Sequence, residues 1–450
     1  MLNKLNILTI NNTLTLLAAI IPLSFIAGNL VLNLNIIILI LVSLIIYRGK
    51  IFKIEYDFLD KLIITFFAYI ISISLINFFS NLSENNNDLN VMILKKSFFY
   101  LRFLLLYFVI RYLLRENKIN FKIIFFSSSI CCLFVSLDLI YQYIFGFDIF
   151  GIEYVDRRRM SGPFGDELIA GSYIQRFSLF LIFSIPLLER FKSKKIFFLV
   201  LSFVIFLLLF SVILSGNRMP LILLMFTLFL IFISEKSLRK FFLLFIFISS
   251  ILILSVYNFN QSYQRHLDRY YDRVTEFIIL ISDIYSKDKE IKKRYDSRRY
   301  VIEVDGKKIG MPNVYVKEFQ AGYETWLLNK FVGDGVKSFK KNCQKTNVIN
   351  CGPHPHNYYL ETLADLGLVG LILLLLISFI SIYRSLLKKF SSLDKRFGYI
   401  ITPFIFLFFV EIFPIRTTGS FFSTGNATYF FLILSILIAL SKKEFKIKNL

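Results

Sequence analysis

The chain has 450 residues, of which 56% are hydrophobic and 17% aromatic, and it carries a formal net charge of +21. Its apolar runs reach about 17 to 25 residues, enough to cross ~30 Å of hydrocarbon, so an ordinary soluble globular fold is excluded. Nucleic acid is not the partner that the positive charge implies. Lys and Arg stand in short clusters between apolar runs, with no RNA- or DNA-binding motif, as in proteins that use them to fix orientation in a bilayer.

In chain order, the opening MLNKLNILTINN enters a first span with no small-residue cleavage site, so no cleavable signal peptide is expected. The hydropathy pattern predicts twelve spans, at residues 8–27, 30–47, 61–80, 97–114, 123–146, 173–189, 196–214, 219–234, 241–257, 357–383, 398–415 and 427–441. Five connections of one parity hold twenty basic residues: Arg48, Lys50, Lys53 and Lys61; Arg111, Arg115, Lys118 and Lys122; Arg190, Lys192, Lys194 and Lys195; Lys236, Arg239 and Lys240; Arg384, Lys388, Lys389, Lys395 and Arg396. Short connections of the other parity hold seven: Lys95, Lys96, Arg157, Arg158, Arg159, Arg218 and Arg416. The positive-inside rule therefore predicts cytoplasmic N- and C-termini, in agreement with the terminal SKKEFKIKNL. The expected class is an all-α, multi-pass integral membrane protein in three parts: helices over 1–257, a loop over 258–356, and helices with a tail over 357–450.

That loop is too long for a passive connection and falls on the outer side by parity. YQRHLDRYYDRVTEFIILISDIYSK suits an amphipathic helix. KKRYDSRRYVIEVDGKKIG reads as strand, Asp-Gly turn, strand. FQAGYETWLLNKFVGDGVKSFKKNC is a short helix bearing the single tryptophan, Trp326, then a glycine-punctuated turn. Cys343 and Cys351, eight residues apart, can form a disulfide if the loop faces an oxidising compartment, whereas Cys131 and Cys132 lie in an apolar run as small hydrophobes.

The loop ends in HPHNYYLETLADLGLVG, residues 354–370, which places His354 and His356 just before a span. Asn357 is suited to cap that helix, whose free N–H groups make an anion site, and Gly367 and Gly370 share one face where another helix can come close. The plain alternative for His356 is an interfacial polar residue without chemistry. A metal would need a third ligand, and the remaining histidine, His266, sits in a charged amphipathic stretch, so no metal is expected. Arg157, Arg158 and Arg159 precede a Gly-Pro turn, Arg176 lies one turn inside the next span, and Arg218 stands in a very short turn with Gly216 and Pro220. Guanidinium forks bind phosphate oxygens in pairs, and snorkelling to lipid phosphate is the competing role. Other intramembrane charges are few (Arg102, Asp138 and Glu411), unlike the midplane clusters and duplicated halves of coupled transporters.

These features together resemble the O-antigen ligase and O-antigen polymerase superfamily of bacterial envelopes. The His356-Asn357, nine residues, Gly367, two residues, Gly370 pattern resembles its late histidine motif, and Arg218 in LSGNRMP its Ser-x-Arg turn. The segment from Arg159 to Ile174 is similar to a loop-to-span motif of polymerase-like members, and FVGDGVKSF to a glycine-rich turn downstream of a tryptophan. The resemblance spans roughly residues 150–430. It implies a GT-C-like membrane glycosyltransferase architecture of about twelve helices with a large periplasmic loop in the bacterial inner membrane. The implied reaction needs no cofactor and moves a glycan from an undecaprenyl-diphosphate-linked donor to a hydroxyl acceptor, either lipid A-core or another lipid-linked glycan. The implied roles are His356 as general base; Arg218 and Arg157, Arg158 or Arg159 on the diphosphate; His354 and Asn357 toward substrate; and Gly367, Gly370, Trp326, Cys343 and Cys351 as structural residues. One departure concerns KEFQAGYETW, which lacks the arginine that relatives place before the tryptophan, leaving Lys317, Arg298 or Arg299 as substitutes. Ligase is the first reading and polymerase the alternative. A lipid-linked glycan transporter would need charges along a central path and no His356.

Overall fold

The computed structural model describes residues 12–80, 87–154, 159–187, 193–235, 239, 292–296, 299–304, 307–346 and 351–442. Among the described residues, nine helices precede the loop: α1 (Asn12–Ile26), α2 (Asn29–Tyr47), α3 (Phe58–Ser80), α4 (Asn87–Tyr100), α5 (Arg102–Arg115), α6 (Phe121–Phe145), α7 (Ala170–Leu187), α8 (Lys194–Leu214) and α9 (Arg218–Ser234). The loop contributes β1 (Lys292–Asp296), β2 (Arg299–Val304), β3 (Lys307–Pro312), α10 (Asn313–Leu328) and α11 (Phe339–Cys343). Three long helices follow: α12 (Tyr358–Ser391), α13 (Lys395–Glu411) and α14 (Thr424–Ser441).

Every predicted span within the described residues coincides with a helix, because runs this apolar satisfy their backbone groups in lipid only as helices. Among the described residues, seven helices are long and apolar enough to cross a membrane. The predicted span at 241–257, the amphipathic stretch with His266, and the Asp305-Gly306 turn lie outside the described residues. The all-α expectation is corrected in the loop, where β1, β2 and β3 form an antiparallel sheet in that order. Strands β2 and β3 pair from Arg299 with Pro312 to Val304 with Lys307.

Local chemistry sets the helix ends. Asn120 caps α6 by accepting the Lys122 N–H at 2.9 Å, and Gly146 ends it in the left-handed conformation. Asp394 caps α13 through the Arg396 N–H. At one end of the bundle, the start of α3 meets the ends of α5, α12 and α14: Asp60 pairs with Arg111 at 3.0 Å and Lys442 at 3.3 Å, and Asp57 with Arg384 at 3.0 Å. Phe67, Tyr100, Phe103, Phe421, Phe430 and Phe431 build an aromatic core between α3, α4, α5 and α14.

Helix α12 is broken. Gly367 adopts φ 66° and ψ −170°, a conformation L side chains rarely take, and the helix restarts beyond it. The N–H groups freed by the break are not lost: Leu368 N–H donates to Lys330 O at 2.9 Å and Val369 N–H to Phe331 O at 3.1 Å. A Cβ on Gly367 would lie 2.4 Å from the Phe331 backbone, and one on Gly333 the same distance from Asp365 O. The close partner of Gly367 is therefore the 331–333 turn rather than another helix, which corrects the helix-pairing expectation. The nearest atoms to a Cβ on Gly370 belong to Leu366 of its own helix, at 2.3 Å.

Candidate functional site

The starts of α7, α12 and α14 and the end of α13 converge opposite the Asp57–Asp60 end. Glu411, closing α13, accepts from Arg176 of α7 at 2.6 Å, from Arg416 at 2.6 Å, and from the Tyr358 hydroxyl at 2.8 Å. Arg176 also donates to Asn426 Oδ1 at 2.7 Å and stacks over the Tyr429 ring at 4.8 Å. All five charged or phenolic groups in this cluster are buried. Two guanidiniums on one carboxylate leave a net positive charge in the cluster. Arg416, counted from sequence among the loop cations, belongs to this core and not to the surface.

His356 stands two residues before Tyr358 of that cluster. The Asn357 side chain accepts from Tyr359 N–H at 3.0 Å and Leu360 N–H at 3.1 Å, and donates to Pro414 O at 2.8 Å. Asn357 was expected to touch substrate. It is buried with both ends of its amide engaged, so its role is to start α12 and tie that start to the 412–418 segment. His356 itself takes φ 51°, and its carbonyl accepts the Thr418 N–H at 2.9 Å. This left-handed residue turns the imidazole out of the helix axis and leaves the side chain 34% exposed.

The two histidine rings lie 4.1 Å apart, and the His356 N–H donates to His354 Nδ1 at 3.2 Å. That contact makes Nδ1 of His354 an acceptor, hence unprotonated. Burial, His356 and Lys337 push His354 down to about 4. His356 is lowered as well, mainly by burial, against a hydrogen bond to the backbone at Thr418 that favours its charged form. A base at this position is thus neutral at physiological pH.

The sequence reading missed Glu318. Its Oε1 lies 3.3 Å from His356 Nε2, and its Oε2 is buried with no hydrogen-bond partner. Burial pushes its carboxyl up to about 7. An imidazole and a carboxylate at this distance would ordinarily be an ion pair, yet burial moves both toward the uncharged form. One signal was present in the sequence. Gly322 lies one helical turn beyond Glu318 on α10, and a Cβ there would meet Pro355 Cβ at 2.9 Å. A glycine inside a helix marks the face where the His-Pro-His segment approaches, and residue i−4 shares that face.

The glycine-rich turn buttresses the site. Asp365 of α12 accepts from Lys337 N–H at 2.7 Å, Ser338 Oγ at 3.1 Å and Phe339 N–H at 2.6 Å. Glu361 accepts from Phe421 N–H at 2.6 Å and lies 3.7 Å from Lys337 Nζ, which also bonds Ser420. Cys343, at the end of α11, is joined by a disulfide to Cys351, three residues before His354. Trp326 donates to Lys330 O at 2.9 Å, closing α10 at the turn.

The two other motifs also meet. A Cβ on Gly171, at the start of α7, would lie 2.4 Å from Ser215 Oγ and 2.9 Å from Asn217 Cβ, and Asn217 donates to Leu168 O at 3.0 Å. The Ser-Gly-Asn-Arg turn is therefore seated on the Gly-Ser-Tyr-Ile segment. This presents Arg218 at the first position of α9, exposed, and Arg159 is exposed on the approach to Met160, whose N–H donates to Leu214 O. Arg157, Arg158 and Arg298 lie outside the described residues, as do the side chains of Lys317 and Arg299. Among the described residues no group of three His, Cys, Asp or Glu side chains could hold a metal ion.

This is a multi-pass helical membrane protein whose candidate site gathers at one end of the bundle. Residues 203–375 match a family profile described as O-antigen ligase, so the likeness to the O-antigen ligase and polymerase superfamily holds. The matched stretch contains Arg218, Trp326, the glycine-rich turn, both loop cysteines, His354, His356 and Gly367. No curated protein matches the chain. Among solved structures, a chain described under "Structural coordination of polymerization and crosslinking by a peptidoglycan synthase complex" aligns over 86% of this chain and 97% of its own, at 13% identity and a TM-score of 0.40. At that score the likeness carries no argument.

Proposed function

We propose that the protein is an O-antigen ligase-like glycosyltransferase of the bacterial inner membrane. It transfers a glycan from an undecaprenyl-diphosphate-linked donor to a hydroxyl of lipid A-core at the periplasmic face. The single observation that carries this reading is His356, a neutral and partly exposed imidazole fixed at a helix start beside a net positive cluster.

The bond to be broken joins the anomeric carbon to a diphosphate oxygen, and negative charge grows on that oxygen. Fixed cations placed beforehand stabilise it. Arg218 and Arg159 are exposed for that purpose, and Arg157 and Arg158 belong to the same segment. The attacking hydroxyl must lose a proton, which His356 accepts. Arg176 and Arg416 are spent on Glu411 and hold the frame instead of touching the diphosphate. His354, uncharged and with its ring tilted against that of His356, shapes the acceptor side. The polymerase alternative keeps the same donor, base and cations and replaces lipid A-core with a second lipid-linked glycan; the SGPFGDE segment favours it.

A strain lacking the gene decides between them on a glycolipid gel. Bare core, with polymerised glycan retained on the lipid carrier, is the outcome expected for a ligase. Core bearing one repeat unit identifies a polymerase. An unchanged ladder, or loss of donor from the outer leaflet, overturns both.

A further inference from the structure

We infer that Glu318 is a positioning residue that works through His356, the two forming a proton-holding dyad at the site. The inference rests on the reading of His356 as base. It is carried by three observations: the 3.3 Å separation of Glu318 Oε1 from His356 Nε2, the buried and partnerless Glu318 Oε2, and the packing of Gly322 on Pro355 that locks α10 against the His-Pro-His segment. A carboxyl group buried at such cost, with one oxygen aimed at an imidazole, is not explained by packing.

The chemistry balances without a further reactant. The acceptor O–H breaks and its proton passes to His356 Nε2. The hydroxyl oxygen bonds to the anomeric carbon as the bond from that carbon to diphosphate breaks, its electron pair leaving on the diphosphate oxygen. The imidazolium so formed faces the Glu318 carboxylate, which stabilises it and takes up the proton for release to water. The Glu318 carboxylate must therefore be ionised before each turnover.

A pH dependence follows with a definite sign. Below about 7, where burial holds Glu318 protonated, the pair keeps one proton and Nε2 cannot act as a base, whichever atom carries it. Above that pH the proton leaves and the base is free. Among the described residues, the charged or titratable groups near the pair include His354, held neutral, and Lys337, which is already paired with Glu361. His354 is pushed down to about 4, well away from the limb, which therefore belongs to the dyad.

The test uses full-length protein in nanodiscs, with lipid-diphosphate-linked glycan from the deletion strain as donor. For Glu318→Gln the acidic limb of kcat should move from about 7 to below 6.5, the unperturbed histidine value. The kcat at optimum should fall about ten- to a hundredfold, less than the ~10²–10⁴ lost with a general base, while KM holds. Glu318→Asp should keep the limb near 7. Carbethoxylation of His356, followed by peptide mass spectrometry without substrate, should show the same downward shift in Glu318→Gln. An unmoved limb and an unmoved modification profile in Glu318→Gln, beside an inactive His356→Ala, would overturn the dyad and leave the base assignment standing. Full activity in His356→Ala would instead sink the base assignment itself, whatever the modification profile shows.

Discussion

Removing the Glu411 carboxylate would leave Arg176 and Arg416, 8% and 4% exposed, facing each other without an anion. Stripping one partner from a buried charge cluster costs about 3–5 kcal/mol, because the remaining charges stay desolvated. Glu411→Ala should therefore lower the Tm in detergent sharply and reduce membrane levels. Glu411→Gln, which keeps the hydrogen bond to Tyr358 but not the charge, should fall between Glu411→Ala and wild type; equal Tm values for all three would show that the cluster contributes nothing. The sequence marked Arg176 and Glu411 as rare charges inside spans, and that rarity was the whole of the signal. It could not pair them, since 235 residues separate the two and only the packing of α7 on α13 brings them to 2.6 Å. Glu318 was hidden for the same reason. Gly322, one turn on, marks a face that something approaches but does not name a histidine 38 positions later, while His356 was legible because it stands next to a cap and an apolar run.

At the scale of elements, the break in α12 is the feature most exposed to a single methyl group. Gly367→Ala adds a Cβ 2.4 Å from the Phe331 backbone and forces a positive φ on an L residue. Backbone cannot retreat as a flexible side chain can, so the 331–333 turn must lift and the Leu368 and Val369 N–H groups lose their acceptors. Since that turn leads into Lys337 and the Asp365 contacts, activity should be lost with the protein still inserted in the membrane. Measuring transferase activity against membrane content checks this, and an active Gly367→Ala would show that the break is tolerated elsewhere. The Gly-x-x-Gly spacing signalled that something approaches closely, but such spacing does not say what. A helix is the usual partner in lipid, and here a loop fills the place because its carbonyls also serve the interrupted helix. Reducing the Cys343–Cys351 disulfide acts on the same element from the other side, by freeing the chain that leads to His354. A reductant should slow transfer without releasing the protein from the membrane, and a Cys343→Ser, Cys351→Ser double variant should match reduced wild type in rate.

For the whole molecule, hydropathy placed the helices because lipid leaves an apolar backbone no other choice, and the basic clusters predict which ends are cytoplasmic. The structure adds contacts to that assignment. Arg111, Arg384 and Lys442, all from the heavily basic parity, converge on Asp57 and Asp60, while Arg176, Arg416, Tyr358 and His356 gather at the other end. Cations paired with Asp57 and Asp60 at one end, and a neutral imidazole together with the net positive Glu411 cluster at the other, give the bundle two chemically distinct ends. The proposed lipid-diphosphate donor, presented on the far side of the membrane from nucleotide precursors, would require the second end to be the outer one. The expected outcome is that a fluorescent protein fused after Leu450 fluoresces, since it folds in the cytoplasm. In intact spheroplasts, a membrane-impermeant maleimide should label Arg159→Cys, which is exposed near the site, but not Ser392→Cys at the close of α12. Labelling in the reverse order would invert the bundle, put His356 in the cytoplasm, and remove the donor from its reach; the transferase reading would fall with it, whatever the geometry of the dyad.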